Sequence, residues 1–555
     1  MASIKVQKLV RNTDGTVKSG SASIVEAHYD PSVKGKSRKK EREKFGKIVY
    51  INENHTCGVF LSPVRGLVEY DSKKDAFTAV GRDDKRIAGM GVFQEPPVHA
   101  MFGDSYLIFR FLKKCGLTDI LRAAFSSDPD YEKVLCHLVY GLCRNGSRET
   151  VDEFFRKSFA SYVLRDVPES RLGSDTSYFE KMGDDKAKVA FFQNFVRYMR
   201  KTDPSFGTGC YVDSTPLPND IRDNPFNALC SHGVASTSVQ TRLVLVLDEA
   251  TGLPVWFQIV PGNVLDLSTI GKVMDDVTET LEIRIGSLVL DAGYVSKELL
   301  SMFNRNPSCE DDDDAETDRS NEPDRTMVAR MPAKKGYPYK ALYSENRHLI
   351  PNSKYQFDRK EHTYFGIRRE VKIFGYPEYA YVYVDKDNAV ELARNNRTKD
   401  PEAYEKLSMA EKNWYDTKFG YFVLVSNKER TPAETLDEYF GRTYIETVFK
   451  TGKEYLEILP LEKWTATRVK GKLLSDMILE IAYLLMEKGL SGTEISAPRL
   501  IGNASSLMCL KKRNGDIEVE TPNKNVREFY KILKVDVPTT FSLDRFSKDV
   551  LKLTL

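Results

Sequence analysis

Gly209–Asp213 (GCYVD) and Ser287–Asp291 (SLVLD) are two short apolar runs that each end in an aspartate. Runs of this length and composition predict buried strands. Between them, Arg242–Leu247 (RLVLVL) and Pro254–Val260 (PVWFQIV) flank a turn and predict a β-hairpin. Asp266 then predicts the N-cap of a helix that runs to about residue 282. The sequence therefore predicts two central strands with an aspartate at their carboxyl ends, and a hairpin and a helix between them.

The order of these elements, three antiparallel strands followed by a helix and a further strand, is that of the first half of a ribonuclease-H-like fold. Residues 333–428 contain several short β-prone runs and are too many for a simple connection, so they predict a β-rich insertion within this core. Residues 309–325 hold nine acids and two bases, and polar low-complexity sequence of this kind predicts a disordered loop. A final helix is expected near Asn523–Leu533.

The predicted fold class is multidomain α/β, with a ribonuclease-H-like catalytic core interrupted by a β-rich insertion, a β-rich N-terminal module and a helical DNA-binding domain. The helical domain is expected because apolar residues recur every three or four positions, a pattern that fits packing alone nearly as well as DNA binding. The predicted bounds are a basic β-rich module at 1–100, the helical domain at 101–204, the core at 205–332 and 429–490, the insertion at 333–428, and a C-terminal region for dimer or DNA contacts at 491–555.

Length and composition limit the class of protein. With 555 residues the chain is longer than a single core usually grows, so several domains are expected. The first residues lack the apolar block of a signal peptide, and Met477–Met486, the most apolar helical stretch, is too short to cross a bilayer. The eight cysteines form no C-x-x-C pair, which predicts reduced thiols in a cytoplasmic protein without a zinc site. The net charge of +2 does not by itself indicate a nucleic-acid partner, although the basic run Lys34–Lys47 stands out.

Thr431–Glu434 (TPAE) combines a Thr N-cap, a Pro at the first helical position and a Glu three residues after the cap, which together predict a capping box and a helix. Along this helix, Tyr439, Arg442, Glu446 and Lys453 have the spacing Y-x2-R-x3-E-x6-K. At about 100° per residue these positions lie within an arc of about 60°. One face of the helix is therefore expected to present an acid beside two cations and a phenol. Such residues also form ordinary surface ion pairs, so the helix alone does not indicate catalysis.

Three carboxylates on this scaffold point to phosphoryl transfer. Mg²⁺ and Mn²⁺ prefer carboxylate oxygens, and two such cations about 4 Å apart can activate a water and stabilise the charge that develops on a phosphodiester. Each active site is expected to hold two cations. Asp213 is expected to bind both of them, and Asp291 and Glu446 are each expected to bind one. Arg442 and Lys453 are expected to clamp backbone phosphates.

At these residues the sequence resembles the DDE transposases of prokaryotic insertion sequences, in the group with the YREK signature, over roughly residues 100–490. The four helix residues reproduce the spacing of that signature. The sequences around the two aspartates, YVDST at 211–215 and DAGY at 291–294, and the PGN at 261–263 after the hairpin also resemble the family. The resemblance implies a cut-and-paste transposase. Such an enzyme binds the terminal inverted repeats of its own element, frees a 3′-OH by hydrolysis and joins it to target DNA.

The resemblance also implies partners and roles. Members act as dimers on double-stranded DNA, so a homodimer associated with the nucleoid in the cytoplasm is expected. In the family, the residues corresponding to Tyr439, Arg442 and Lys453 contact end DNA. Relatives that excise through a hairpin stack a flipped base on a tryptophan. The candidates for that role stay open: Trp256, Trp414 and Trp464.

Other interpretations remain at this stage. A transposase-derived protein that binds DNA without cutting it is disfavoured because all three acids are present. A ribonuclease-H-like nuclease, such as a junction resolvase, would cut without joining, and the insertion and basic N-terminal module disfavour so compact a class. A carboxylate-pair glycosidase would need no cationic helix face.

Overall fold

The structure is a computed structural model of the chain. It describes residues 2–13, 15–29, 37–62, 66–80, 84, 86, 99–126, 128–144, 150–165, 167, 172, 176–219, 221, 223–229, 239–263, 266–283, 285–291, 294–304, 325–346, 352–412, 419–452, 465–512 and 515–552. The chain forms two compact units, Met1–Tyr178 with Leu485–Leu555, and Phe179–Leu484. The predicted acidic loop at 309–325 lies outside the described residues except for Arg325.

The strands are β1 (Ala2–Arg11), β2 (Val17–Tyr29), β3 (Ser37–Ile51), β4 (Cys57–Ser62), β5 (Gly66–Asp71), β6 (Ala76–Ala79), β7 (His99–Met101), β8 (Gly209–Pro218), β9 (Ala228–Leu229), β10 (Val239–Asp248), β11 (Pro254–Pro261), β12 (Ser287–Leu290), β13 (Thr326–Arg330), β14 (Gln356–Arg359), β15 (His362–Ile373), β16 (Tyr376–Asp385), β17 (Tyr421–Ser426), β18 (Met508–Lys511), β19 (Asp516–Val519) and β20 (Thr540–Ser542).

The described helices are α1 (Gly103–Lys114), α2 (Leu117–Ala124), α3 (Asp128–Cys143), α4 (Val151–Lys157), α5 (Ala160–Val163), α6 (Thr176–Met182), α7 (Asp185–Thr202), α8 (Asp266–Leu281), α9 (Lys297–Asn304), α10 (Tyr339–Asn346), α11 (Lys386–Lys399), α12 (Pro401–Glu405), α13 (Pro432–Gly441), α14 (Thr443–Lys450), α15 (Ala466–Gly489), α16 (Ala497–Ala504), α17 (Lys524–Ile532) and α18 (Leu543–Leu551).

In the first unit, β1 to β6 form an antiparallel sheet in which each strand pairs with the next along the chain. Alternate apolar side chains pack on one face around Phe45, whose ring stacks on that of Phe60 with centroids 4.4 Å apart. A second sheet has the order β20-β19-β18-β7. Because β7 pairs with β18, the segments of the first unit that precede and follow the second unit are joined by backbone hydrogen bonds.

The C-terminal region differs from expectation in one respect. Helix α17 confirms the helix expected near Asn523–Leu533, but it is not the final helix, because α18 follows it. The side chain of Ser542 caps α18 by accepting a hydrogen bond from the N–H of Arg545. The buried residues of α18 are Leu543, Phe546 and Val550, which share one face of the helix.

The second unit is built on one large sheet with the strand order β11-β10-β8-β12-β13-β17-β16-β15-β14, and β9 pairs with the first residues of β10. Strands β8, β12 and β13 are parallel, and the other pairs are antiparallel. The predicted strands, hairpin and following helix are confirmed as β8, β10, β11, α8 and β12. The strands within residues 333–428 do not form a separate sheet, because β17, β16, β15 and β14 continue this one beyond β13.

Helices cover this sheet at specific strands. Helix α7 packs against β11 and α8, α13 packs against β12, β13 and β15, and α14 packs against β8. These contacts place α13 and α14 over the strands that carry the aspartates. In the described part of the chain, no helix is long and apolar enough to span a membrane. The cysteines described there are free thiols.

Candidate active site

Asp213 and Asp291 lie at the same level on neighbouring strands. The sequence predicted Asp213 at the carboxyl end of its strand, and this is wrong. Asp213 lies inside β8, because β8 continues to Pro218 while it pairs with β10. Strand β12 runs parallel to β8 with Val289 opposite Tyr211. Two further residues in this register place Asp291, which directly follows β12, beside Asp213. Adjacent strands are about 4.8 Å apart and side chains in register share a face, so both carboxylates project from the same side of the sheet.

The helix that carries the third acid begins as predicted. The N–H of Thr431 donates to Glu434 Oε2 at 2.9 Å, and the N–H of Glu434 donates to Thr431 Oγ1 at 3.3 Å, which completes the capping box. The helix is not continuous, because α13 ends at Gly441 and α14 begins at Thr443. The break between the two helices lies at Arg442.

A close contact with β8 accounts for the glycine at this break. A Cβ built on Gly441 would lie 1.9 Å from Tyr211 Oη and 2.7 Å from Tyr211 Cζ, so no larger residue fits without movement. Tyr211 precedes Asp213 by two positions and projects from the same face of β8. Gly441 interrupts the helical pattern in the sequence and so predicts a weakened helix, but its contact with Tyr211 could not be predicted from the sequence. The contact sets the height of α13 and α14 above the two aspartates.

Arg442, at the break, contacts all three acids. Its Nη1 donates to Asp213 Oδ2 at 2.6 Å, and its Nη2 lies 3.4 Å from Glu446 Oε1 and 3.9 Å from Asp291 Oδ1. The Arg442 side chain is only 12% exposed, whereas those of Asp291 and Glu446 are 42% and 61% exposed. Burial acts to lower the pKa of Arg442, but the Tyr439 hydroxyl and the three carboxylates outweigh it and raise that pKa above its ordinary value.

Tyr439 holds the second aspartate from the other side. Its hydroxyl donates to Asp291 Oδ1 at 3.2 Å, and the Arg442 guanidinium lies 5.5 Å from the centroid of its ring. Burial raises the pKa of Tyr439 to about 12, so the hydroxyl stays protonated as a donor near neutral pH. The structure thus brings Tyr439, Arg442, Glu446 and both aspartates together.

Some of the residues singled out from the sequence lie elsewhere. Lys453 is outside the described residues, as are Trp414 and Trp464. Trp256 is 2% exposed and packs its ring against Phe192 in the interior of the second unit, so it is not available to stack on a base.

The PGN motif has a structural role in this fold. A Cβ at Gly262 would lie 2.2 Å from the carbonyl oxygen of Gln240 and 2.7 Å from that of Ala228. The glycine therefore permits the end of β11 to lie against the β9–β10 pair. Its N–H donates to the carbonyl oxygen of Phe226 at 3.1 Å, which ties the loop that follows β8 to the same place.

The donor set at the centre of the site suits hard divalent cations. All three acids offer carboxylate oxygens, the ligand type that Mg²⁺ and Mn²⁺ prefer. The exposed fractions of Asp291 and Glu446 leave room for the waters that Mg²⁺ retains. The residues therefore fit a cation site of the kind expected from the sequence.

A second group of potential ligands has a structural explanation. His362, Asp385 and Asp387 have ligand atoms within 4.8 Å of one another. Asp385 caps α11 by accepting from the N–H of Asn388, and Asp387 accepts from the N–H of Thr363 at 2.7 Å. His362 Nδ1 lies 3.0 Å from both Asp385 oxygens, and this hydrogen bond raises the pKa of His362. An ion pair, a helix cap and one further hydrogen bond from a backbone N–H account for the group.

Comparison with known proteins agrees with this site. Residues 204–468 match the protein family described as the transposase DDE domain, and this range contains Arg442 and the four residues that meet around it. The match supports a DDE transposase. None of the curated proteins matches the sequence.

Among solved structures, one similar chain is that of the piggyBac transposase in a synaptic complex with hairpin DNA, determined by cryo-EM. The two chains are 11% identical, the TM-score is 0.35, and the likeness covers 81% of this chain and 84% of that one. At this TM-score the likeness does not by itself establish a common fold.

Proposed function

We propose that this protein is a DNA transposase whose catalytic and cation-binding residues are Asp213, Asp291 and Glu446. The observation that carries the proposal is the convergence of three acids from β8, the end of β12 and α14 on one guanidinium. These segments are separated by long stretches of chain, so their meeting is not a consequence of local sequence. The family match over the same residues supports the assignment.

The proposed core is ribonuclease-H-like. The order β11-β10-β8-β12-β13, with the first three strands antiparallel and the last two parallel to β8, supports this proposal. The β-rich insertion would comprise residues 333–428, between the second and third acids, and would extend the core sheet through β14 to β17. The remaining predicted domain bounds stay proposals of the same kind.

The proposed chemistry is hydrolysis of a phosphodiester followed by transfer of the freed strand. Two Mg²⁺ or Mn²⁺ ions, when bound, would supply an activated water and stabilise charge on the phosphate oxygens. Asp213, on the central strand, would hold both ions, and Asp291 and Glu446 would each hold one. Tyr439 orients Asp291 through its 3.2 Å hydrogen bond. Arg442 and Lys453 would hold the DNA backbone so that the scissile bond faces the carboxylates.

The partners follow from the same proposal. The substrates would be the terminal inverted repeats of a prokaryotic insertion sequence of the YREK group, together with target DNA. The active form would be a homodimer acting at the nucleoid in the cytoplasm. Cut-and-paste excision frees a 3′-OH, which then attacks the target.

An in vitro cleavage assay tests this function. Labelled DNA from both edges of the element would be incubated with purified protein and Mg²⁺, alongside Glu446→Gln and the control Asp437→Asn. Asp437 lies on α13 but pairs with Arg359, away from the three acids. We expect nicking at the element boundary in the wild type and control, and none in Glu446→Gln.

The products separate the alternatives. Nicked ends that are joined to target DNA support a transposase, whereas nicking that never leads to joining would indicate a nuclease. Binding without cleavage in every variant would indicate an inactive DNA-binding protein. Cleavage that survives Glu446→Gln would refute the assignment of the third acid.

A further inference from the structure

The guanidinium of Arg442 occupies the space between the carboxylates, where cations would bind. One of its nitrogens donates to Asp213 at 2.6 Å, and the other lies within 4.0 Å of both Glu446 and Asp291. Among the described residues, the group whose ligand atoms lie within 4.8 Å of one another is that of His362, Asp385 and Asp387, and the three acids around Arg442 are not brought together so closely. The acids are therefore arranged around a monovalent, planar cation that belongs to the chain itself.

We propose that Arg442 is a built-in counter-ion of the carboxylate cluster, which competes with divalent cations and releases Asp213 when they bind. This inference rests on the proposed function, in which the three acids hold the cations. A charge-assisted hydrogen bond uses a lone pair of Asp213 that a bridging ligand needs, and like charges repel at this separation. The released guanidinium would then lie beside the cations, where a DNA phosphate can accept its hydrogen bonds.

Other contacts keep the two aspartates in place when Arg442 moves away. Asp213 Oδ1 accepts from the N–H of Ser214 at 2.8 Å, and Asp291 is held by the Tyr439 hydroxyl. The height of the helix is set by the contact of Gly441 with β8. The positions of the two aspartates and of the helix are thus held by contacts that do not involve the side chain of Arg442.

Cation binding without DNA tests the proposal independently of activity. Mn²⁺ titrations of the full-length protein, followed by electron paramagnetic resonance, would compare the wild type with Arg442→Gln. We expect Arg442→Gln to bind Mn²⁺ about 10- to 100-fold more tightly, the equivalent of the net strength of a hydrogen bond between charged groups. Arg442→Lys, which keeps the charge but loses the fork, should fall between the two.

Arg359→Gln is the matched control. It also removes one guanidinium charge, from a residue whose Nε lies 2.5 Å from Asp437 of α13, outside the cluster. Its Mn²⁺ affinity should stay within about twofold of the wild type, because this guanidinium pairs with Asp437 and makes no ion pair with the three acids. Thermal unfolding in EDTA and in Mn²⁺ would verify that each variant folds, and Mn²⁺ should raise the Tm of Arg442→Gln more than that of the wild type.

The outcomes distinguish this inference from the proposed function. Mn²⁺ affinity that is unchanged or weaker in folded Arg442→Gln and Arg442→Lys would overturn the counter-ion role and show that the arginine positions the acids. If Asp213→Asn binds Mn²⁺ as the wild type does, the acids are not the cation site, and both the inference and the proposed function fail.

Discussion

The contact between Gly441 and Tyr211 leads to a sharp prediction about catalysis. In Gly441→Ala the new Cβ would lie 1.9 Å from Tyr211 Oη, whereas ordinary contacts begin near 3.4 Å. The two groups must therefore separate by more than 1 Å. Because Tyr211 is buried, we expect α13 and α14 to move and to carry Arg442 and Glu446 with them. A displacement of about 1 Å costs on the order of 100-fold in rate. The substitution also changes stability. Overpacking lowers the free energy of unfolding by about 1–3 kcal/mol, and the replacement of Gly by Ala in a helix offsets this by about 0.5–1 kcal/mol.

The assay measures cleavage at the element end under single-turnover conditions, together with urea unfolding. The matched control is Gly502→Ala on α16, where a Cβ would meet nothing within 4 Å. This control should cleave as the wild type does and be slightly more stable. The double variant Tyr211→Phe with Gly441→Ala should recover part of the rate, because the closest atom has been removed. A Gly441→Ala variant with wild-type cleavage and stability would refute the proposed role of this contact.

Three further predictions concern single side chains. Tyr439→Phe removes the hydrogen bond to Asp291 and should slow single-turnover cleavage about tenfold, so an unchanged rate would refute its positioning role. Thr431→Ala removes the side-chain acceptor of the capping box and should lower the free energy of unfolding by about 1 kcal/mol in urea titrations, with no loss expected if the cap is dispensable. Burial raises the pKa of Glu378 from 4.5 to about 7, so its ionisation destabilises the fold as pH rises between those values. Glu378→Gln should therefore raise the free energy of unfolding by up to about 3 kcal/mol at pH 8 and by little at pH 4, and equal gains at both pH values would contradict this.

Local patterns were sufficient for most of the elements that position the site. The runs before Asp213 and Asp291 predicted strands because short apolar segments with β-branched residues have few other places in a fold. The capping box at Thr431 predicted the start of α13, since all of its partners lie within four residues. Helical spacing placed Tyr439, Arg442 and Glu446 on one side, and the structure has all three near the aspartates.

Features that depend on long-range contacts could not be predicted in this way. The position of Asp213 inside β8 depends on pairing with β10, which no local pattern encodes. The break at Gly441 depends on Tyr211, more than two hundred positions earlier in the sequence. The strands within residues 333–428 join the core sheet through the pairing of β13 with β17, which is also a long-range contact. The contact of Arg442 with all three acids joins side chains from β8, the end of β12 and α14, which no local pattern brings together.

The central claim, that Asp213 holds the catalytic cations directly, is most directly tested by a change of ligand and metal. Asp213→Cys replaces a hard oxygen with a soft sulfur, which Mn²⁺ accepts better than Mg²⁺ does. Cleavage at the element end would be measured for the wild type and this variant in each metal. We predict that the variant loses cleavage in Mg²⁺ and recovers it in Mn²⁺, so that its ratio of rates in Mn²⁺ and Mg²⁺ greatly exceeds that of the wild type. A ratio equal to that of the wild type would contradict direct binding by Asp213.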